Sequence, residues 1–193
     1  PALAARCFLL ISFPVIMTDF TCDAYTGATP LAALKTGETV NVFDMVIGRT
    51  AGTIGETSMI AIVFGACILL LMGIIDLRIP GSYIVTFVVF ITLFGGRGFD
   101  PYFISAHLAG GGLMLGAFFM ATDYATTPPT PLGKAVFGIG CGLITAVIRM
   151  FGSYPEGVSF AILLMNILTP YISNLTHHKI FGVVKAKEGG KKA

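Results

Sequence analysis

Long apolar runs separated by short polar stretches constrain the fold of this chain more than any other feature. Residues 57–75 form a run of nineteen without a charge, which as a helix would extend roughly 28 Å. Because 55% of the 193 residues are hydrophobic and only 11% are charged, the chain is more apolar than a soluble domain. We therefore predict an all-α, polytopic membrane helix bundle with six membrane segments, at residues 1–18, 57–75, 82–94, 102–122, 133–151 and 157–172.

The distribution of Lys and Arg predicts the orientation of the bundle. Residues 174–193 carry five lysines, and a cytoplasmic position for this tail places Arg6, Arg78 and Lys134 on the same side. We then expect residues 1–18 to end a helix and residues 19–56 to form an outward-facing loop. Residues 57–173 would form five membrane segments, of which residues 82–94 are short for a full crossing.

Composition also excludes several classes of protein. The net charge of +2 is small and the basic residues gather at the C-terminus, so we expect no nucleic-acid partner. The four cysteines are scattered and cannot form a zinc or iron–sulfur site on their own. Since the chain starts at Pro1, inside an apolar run without a basic n-region, we expect a fragment or a processed piece.

The polar segment after residue 18 holds the most specific motif, Asp23-Ala-Tyr-Thr-Gly-Ala-Thr29, followed by Pro30. It matches the pattern D-x-x-[S/T]-G-A-T, in which flavin transferases attach FMN to the last threonine through a phosphoester. Thr29 is thus the candidate attachment residue, with Thr26 at the [S/T] position. Small Gly27 and Ala28 admit the transferase and Asp23 positions the loop. Thr29 is alternatively the N-cap of a short helix with Pro30 at its first position, and both roles are compatible.

The whole chain resembles the RnfD/NqrB family, the membrane subunits of ion-translocating ferredoxin:NAD and NADH:quinone oxidoreductases. Similar blocks are Gly48-Arg-Thr-Ala-Gly-Thr-Ile-Gly-Glu-Thr-Ser58, Gly116-Ala-Phe-Phe-Met-Ala-Thr-Asp123 and Tyr154-Pro-Glu-Gly-Val-Ser-Phe-Ala-Ile-Leu-Leu-Met-Asn166. The resemblance implies two inverted repeats of five helices. Residues 1–18 would close the first repeat and residues 57–173 would form the second, with most of the first repeat absent from this sequence.

The resemblance implies a membrane electron-transfer subunit that carries covalent FMN on Thr29, in a Na⁺- or H⁺-translocating ferredoxin:NAD oxidoreductase complex of the bacterial inner membrane. Its implied partners are the other subunits of an Rnf-type complex, including an outward-facing flavoprotein that supplies electrons. A second, non-covalent flavin in the helix bundle is also implied, although no residue marks it. We expect the chain not to be catalytic alone. The alternative function is a cofactor-free channel or solute transporter, since inverted repeats with broken helices occur there too.

Several further residues are candidates for lesser roles. Arg49 and the glycines around it are candidates for flavin contact, with helix entry as the alternative. Arg149 is expected to pair with Glu156 or to extend to the membrane surface. Two glycine pairs, Gly112-x-x-x-Gly116 and Gly138-x-x-x-Gly142, indicate either tight helix packing or room for a flat cofactor. His107 has no metal-ligand spacing, and no catalytic or metal-binding residue is assigned.

Overall fold

The computed structural model of the chain describes residues 2–13, 16, 19–22, 25–28, 31, 34, 41–49, 58–96, 98–152 and 157–176. Within these ranges most residues are helical. In chain order the helices are α1 (Ala2–Ser12), α2 (Val42–Ile47), α3 (Met59–Leu71), α4 (Arg78–Phe94), α5 (Pro101–Ala109), α6 (Leu113–Leu115), α7 (Pro131–Phe151) and α8 (Val158–Thr176). Helix α6 continues directly into a π-helical turn, Gly116–Met120.

A β-hairpin interrupts the helical fold. Strand β1 (Asp19–Cys22) pairs antiparallel with β2 (Tyr25–Ala28), with Asp19 opposite Ala28 and Cys22 opposite Tyr25. The Thr, Phe and Tyr residues of these strands favour extended backbone. The prediction of a helical bundle is confirmed for the apolar part of the chain, but the prediction of an all-α chain missed this hairpin.

Two helices among the described residues are long and apolar enough to cross a membrane, α7 with 21 residues and α8 with 19. Helix α5 and the segment of α6 with its π-helical turn are long and apolar enough to cross a membrane only when taken together. The two are bent by 64° at their junction. The membrane segment predicted over residues 102–122 is thus a helix pair broken at residues 110–112. Helix α3 is also shorter than its apolar run, since its 13 residues extend only roughly 20 Å. The division into two inverted repeats stays a prediction.

The core of the bundle lies where α4 packs along α7. A Cβ atom on Gly138 would lie 2.6 Å from the Ile79 carbonyl oxygen, and one on Gly142 would lie 2.5 Å from the Tyr83 carbonyl oxygen. Both glycines therefore allow the two backbones to approach, which confirms the packing role of this pair. The hydroxyl groups of Tyr83 and Thr145 also form a buried hydrogen bond of 2.6 Å between the helices.

Large apolar side chains cover the outside of the bundle. Leu71 and Leu93 on α3 and α4 are 89% and 72% exposed, and Ile167 on α8 is 66% exposed. Such a surface is unfavourable in water but is compatible with a hydrocarbon environment.

Candidate functional site

The helix break at Gly110, Gly111 and Gly112 is the most unusual backbone feature of the bundle. Helix α5 ends there with a hydrogen bond of 2.9 Å from the Gly110 N–H to the Ala106 carbonyl. Gly111 and Gly112 then follow with φ angles of 67° and 59°, values that side-chain-bearing residues rarely adopt. Because the chain turns away from the helix axis, the last carbonyl groups of α5 lack their usual intrahelical donors.

Arg149 supplies donors to these carbonyl groups. It lies in the last turn of α7, only 1% exposed, and its Nη1 atom donates to the His107 carbonyl at 2.5 Å. Its Nη2 atom donates to the carbonyl oxygens of Gly110 and Gly111, both at 3.0 Å. The positive charge also meets the negative end of the α5 helix dipole, and the guanidinium carbon lies 5.2 Å from the centre of the Phe87 ring. A buried cation is thus compensated by three carbonyl groups and an aromatic face.

Leu31, two residues after Thr29 in the sequence, packs directly on the helix break. Its side chain is 2% exposed. A Cβ atom on Gly111 would lie 2.5 Å from Leu31 Cδ2, and it would also overlap the Arg149 guanidinium. Only a glycine at position 111 therefore leaves room for both side chains, and the break forms the surface on which Leu31 is buried.

Next to this contact lies a cavity of about 310 Å³, which we call the Arg149 cavity. It is lined by Leu34, Phe103, His107, Arg149, Met150 and Gly152. The Phe103 and His107 rings meet edge to face, with their centroids 4.5 Å apart. The volume is at the lower end of the range for small-molecule sites. Its lining combines apolar and aromatic surface with one buried positive charge, a composition suited to a flat, partly polar ring.

The structure describes the predicted attachment motif in part. Thr26, Gly27 and Ala28 lie in strand β2, whose last residue pairs with Asp19. Asp23 and Thr29 lie outside the described residues. Arg49 follows α2 with an exposed side chain, and its backbone N–H donates to the Asp44 carbonyl at 2.9 Å. It is not among the residues that line the Arg149 cavity, so the structure does not bring it to that site.

Sequence reasoning missed two residues at the helix break. The sequence predicts that Arg149 extends to the membrane surface, whereas its guanidinium is buried on three carbonyl groups. The alternative prediction, pairing with Glu156, involves a residue outside the described ranges and stays a prediction. The sequence assigns His107 no role, yet this residue lines the cavity and its carbonyl accepts a hydrogen bond from Arg149. One signal is available in the sequence, because an arginine within a long apolar run requires a compensating partner.

A second polar cluster lies at the other end of α7, roughly 22 Å from Arg149 along the helix. The Lys134 ammonium lies 3.0 Å from the Asp76 carboxylate in the turn between α3 and α4. Burial raises the pKa of Asp76, but the Arg78 N–H and the Lys134 ammonium outweigh this effect, so the pKa lies below its usual range. A cavity of about 720 Å³ adjoins the pair, between this turn and residues 122–129.

Nearly the whole chain is similar to known proteins of one family. The model of the NQR2, RnfD, RnfE family matches residues 1–182. The chain is 48% identical to the D component of the Na(+)-translocating ferredoxin:NAD(+) oxidoreductase complex of Acetobacterium woodii, with 99% of this chain and 61% of the relative covered. It is 40% identical to the D component of the proton-translocating ferredoxin:NAD(+) oxidoreductase complex of Clostridium ljungdahlii, with 94% and 60% covered.

A third relative is more distant. The chain is 33% identical to the D component of the ion-translocating oxidoreductase complex of Stutzerimonas stutzeri, with 94% of this chain and 62% of the relative covered. The chain thus spans about three fifths of the length of these relatives.

Proposed function

This chain belongs to the NQR2, RnfD, RnfE family, and on that premise we propose that it is part of a membrane electron-transfer subunit that carries FMN on Thr29. The subunit would work in an ion-translocating ferredoxin:NAD oxidoreductase complex in a bacterial inner membrane. The names of the relatives support the type of complex. They specify different ions, Na⁺ and protons, so they favour neither ion here.

The observation that supports the flavin proposal is the position of Leu31 and Leu34, which follow the attachment motif in the sequence, at the helix break and the Arg149 cavity. Thr29 follows directly after the last paired residue of the hairpin and precedes Leu31 by two positions. Leu31 is buried on the helix break, and Leu34 lines the cavity. Because consecutive Cα atoms are about 3.8 Å apart, Thr29 is within roughly 8 Å of Leu31. A group linked to its hydroxyl would therefore be tethered near Leu31, and Leu34 of the same segment lines the cavity.

The residues that line the cavity fit a flavin ring by their chemistry. Leu34, Phe103 and Met150 offer apolar surface, and the Arg149 cation is held away from solvent. When FMN is bound, it supplies the ability to accept and release electrons singly, which ordinary side chains do not provide. The chain would contribute the hydroxyl that holds the group, the hairpin that precedes this hydroxyl, and a site whose positive charge favours the reduced, more negative form.

The alternative of a cofactor-free channel has less support from the helix break. Broken helices in transporters expose backbone carbonyl groups that coordinate a cation. Here the carbonyl groups of His107, Gly110 and Gly111 accept hydrogen bonds from Arg149, which itself is a cation. Carbonyl groups engaged in this way are unsuited to bind a second positive ion.

The decisive experiment is detection of covalent FMN on the Thr29 peptide. The complex is purified from cells that carry the flavin transferase and is fully denatured, after which flavin fluorescence and peptide mass are measured. We expect FMN mass on the wild-type peptide, its loss in Thr29→Val and its retention in Thr29→Ser, which keeps a hydroxyl.

The matched control is Thr21→Val, because Thr21 pairs with Thr26 in the hairpin but lies outside the motif. This variant should keep its flavin. Absence of flavin from the wild type, or its persistence in Thr29→Val, would overturn the proposal.

A further inference from the structure

We propose that Arg149 is a positioning residue for the segment from Thr29 to Leu34, which we call the Thr29 loop. By donating to the carbonyl groups of the helix break, it would fix the surface on which Leu31 is buried, and through Leu31 the placement of Thr29. The consequence for electron transfer rests on the proposed function, whereas the consequence for the loop does not.

The Arg149 guanidinium joins two separate pieces of backbone. Its Nη1 atom binds the carbonyl of His107 inside α5, and its Nη2 atom binds the carbonyls of Gly110 and Gly111 beyond the helix end. A guanidinium is planar and presents its donors in a fixed fork, whereas a lysine ammonium is a single point of charge. Lysine in the same place would keep the charge but lose the fixed geometry between the two pieces.

Leu31 and the Arg149 guanidinium both lie against the backbone of Gly111. A side chain on Gly111 would meet both Leu31 and Arg149, so these two groups lie on either side of one backbone position. Gly110 adds a third contact, since a Cβ atom there would lie 3.0 Å from Met45 Cε. A shift of the break therefore moves the surface beneath Leu31, and Met45 of α2 lies at the same surface.

The Arg149 side chain also forms part of the cavity wall. Arg149 lines it together with Leu34, so one side chain contacts both the break and the space beside the loop. A residue that only stabilised the bundle would not need to contact both the helix break and the cavity. We therefore expect changes at Arg149 to alter the loop even where the complex still assembles.

The test compares Arg149→Met, Arg149→Lys and Leu31→Ala with the control Arg78→Met. Arg78 has a 56% exposed side chain at the opposite end of the bundle, so the control makes the same substitution away from the break. The purified, assembled complexes are treated with trypsin under native conditions, and cleavage after Lys35 is followed by mass spectrometry. Lys35 follows Leu34 directly in the sequence, so we expect its cleavage rate to report local opening of the segment that holds Leu31 and Leu34.

We expect cleavage after Lys35 to accelerate by about tenfold or more in Leu31→Ala and Arg149→Met, because a buried leucine contact or its supporting surface is lost. Arg149→Lys should accelerate it as well, since charge alone does not restore the fork. Arg78→Met should leave the rate unchanged. If Arg149→Met does not assemble, Arg149→Lys still tests the role of Arg149, and Leu31→Ala tests the contact through which it acts. A wild-type cleavage rate in either Arg149→Lys or Leu31→Ala would overturn the proposal.

The reduction potential of the attached flavin provides a second readout. We expect a shift to lower potential in Arg149→Met, because a positive charge is lost, and a smaller shift in Arg149→Lys. If the wild type carries no flavin on Thr29, the proposed function fails while the cleavage rates still test the role of Arg149. If flavin is present but both cleavage and potential are unchanged in the Arg149 variants, the positioning role fails alone.

Discussion

The two ends of α7 treat a basic side chain in opposite ways. Arg149, in the last turn, is 1% exposed and donates to three backbone carbonyls. Lys134, in the first turn, has a 25% exposed side chain and pairs with a carboxylate that is 34% exposed. We call these regions the Arg149 end and the Asp76 end.

The difference shows what each cation does for the fold. At the Arg149 end the three carbonyl groups belong to the backbone of α5 and of the break that follows it, so the cation fixes the path of the chain there. At the Asp76 end the partner is another side chain, and solvent is available to either group if the other is lost. Buried hydrogen bonds to charged groups contribute more than exposed ion pairs, and their loss leaves polar atoms without solvent. We therefore expect substitutions at the two ends to differ widely in effect.

The largest effect is expected for Arg149→Met. The substitution leaves three buried carbonyl groups without their donor, which should lower the free energy of unfolding by about 3–5 kcal/mol. Thermal unfolding of the detergent-solubilised complex would measure the loss. Arg78→Met is the matched control and should change stability by less than about 0.5 kcal/mol. Equal losses in the two variants would show that burial does not distinguish the ends.

Gly111→Ala should have the next largest effect. Its φ angle of 67° is unfavourable for alanine, and the new methyl group would overlap Arg149 and Leu31. We expect a loss of about 1–3 kcal/mol. Gly81→Ala is the matched control, since Gly81 lies in α4 and, apart from its chain neighbours and the adjacent helix backbone, no described atom lies within 4 Å of the new Cβ. That variant should be neutral or slightly more stable, because alanine favours helix.

A smaller effect is expected between the ends, at the hydrogen bond that joins α4 and α7. Tyr83→Phe removes the hydroxyl that lies 2.6 Å from Thr145. Thr145 keeps a partner, since its hydroxyl also donates to the Cys141 carbonyl at 2.8 Å. The loss should be about 1 kcal/mol, measured by the same unfolding experiment. A loss as large as that of Arg149→Met would contradict the idea that the helix break is the most sensitive point of the bundle.

The smallest effect is expected at the Asp76 end. Because the folded pKa of Asp76 is lowered, its ionised form stabilises the fold above the unfolded pKa, and this contribution is lost as pH falls through the folded pKa. Asp76→Asn should cost less than about 1 kcal/mol at neutral pH. It should also make the free energy of unfolding depend less on pH in the acidic range. Unfolding measured from neutral to strongly acidic pH would test this. Lys134→Gln provides the second arm of a double-mutant cycle.

The sequence predicted the regular parts of this molecule well and the irregular parts poorly. Apolar runs placed α7 and α8 within a few residues, because hydrophobicity and helix length are local properties. Residues 138 and 142 also revealed helix packing through their spacing, which depends on two positions in one helix. Family membership was recognised from blocks spread along the chain and is confirmed by the match over residues 1–182.

The helix break and its cation could not be predicted in this way. Three consecutive glycines indicate a possible bend, but the residue that compensates it lies 38 positions later in the chain. Nothing local relates Gly111 to Arg149, since their contact exists only once α5 and α7 are packed. The burial of Leu31 depends on the same tertiary arrangement, and the attachment of flavin to Thr29 stays a proposal.

The close contact of α4 with α7 has a mechanical consequence. Helix α7 is continuous over 21 residues, and its backbone is held against α4 at Gly138 and Gly142. The helix should therefore tilt as a rigid rod about a point near Gly140, about 9 Å from Lys134 and about 14 Å from Arg149 along its axis. Because Arg149 lies farther from this point, a tilt that displaces Lys134 would displace the guanidinium by a larger distance. A force applied at the Asp76 end would thereby arrive, amplified and reversed in direction, at the helix break on which Leu31 is buried.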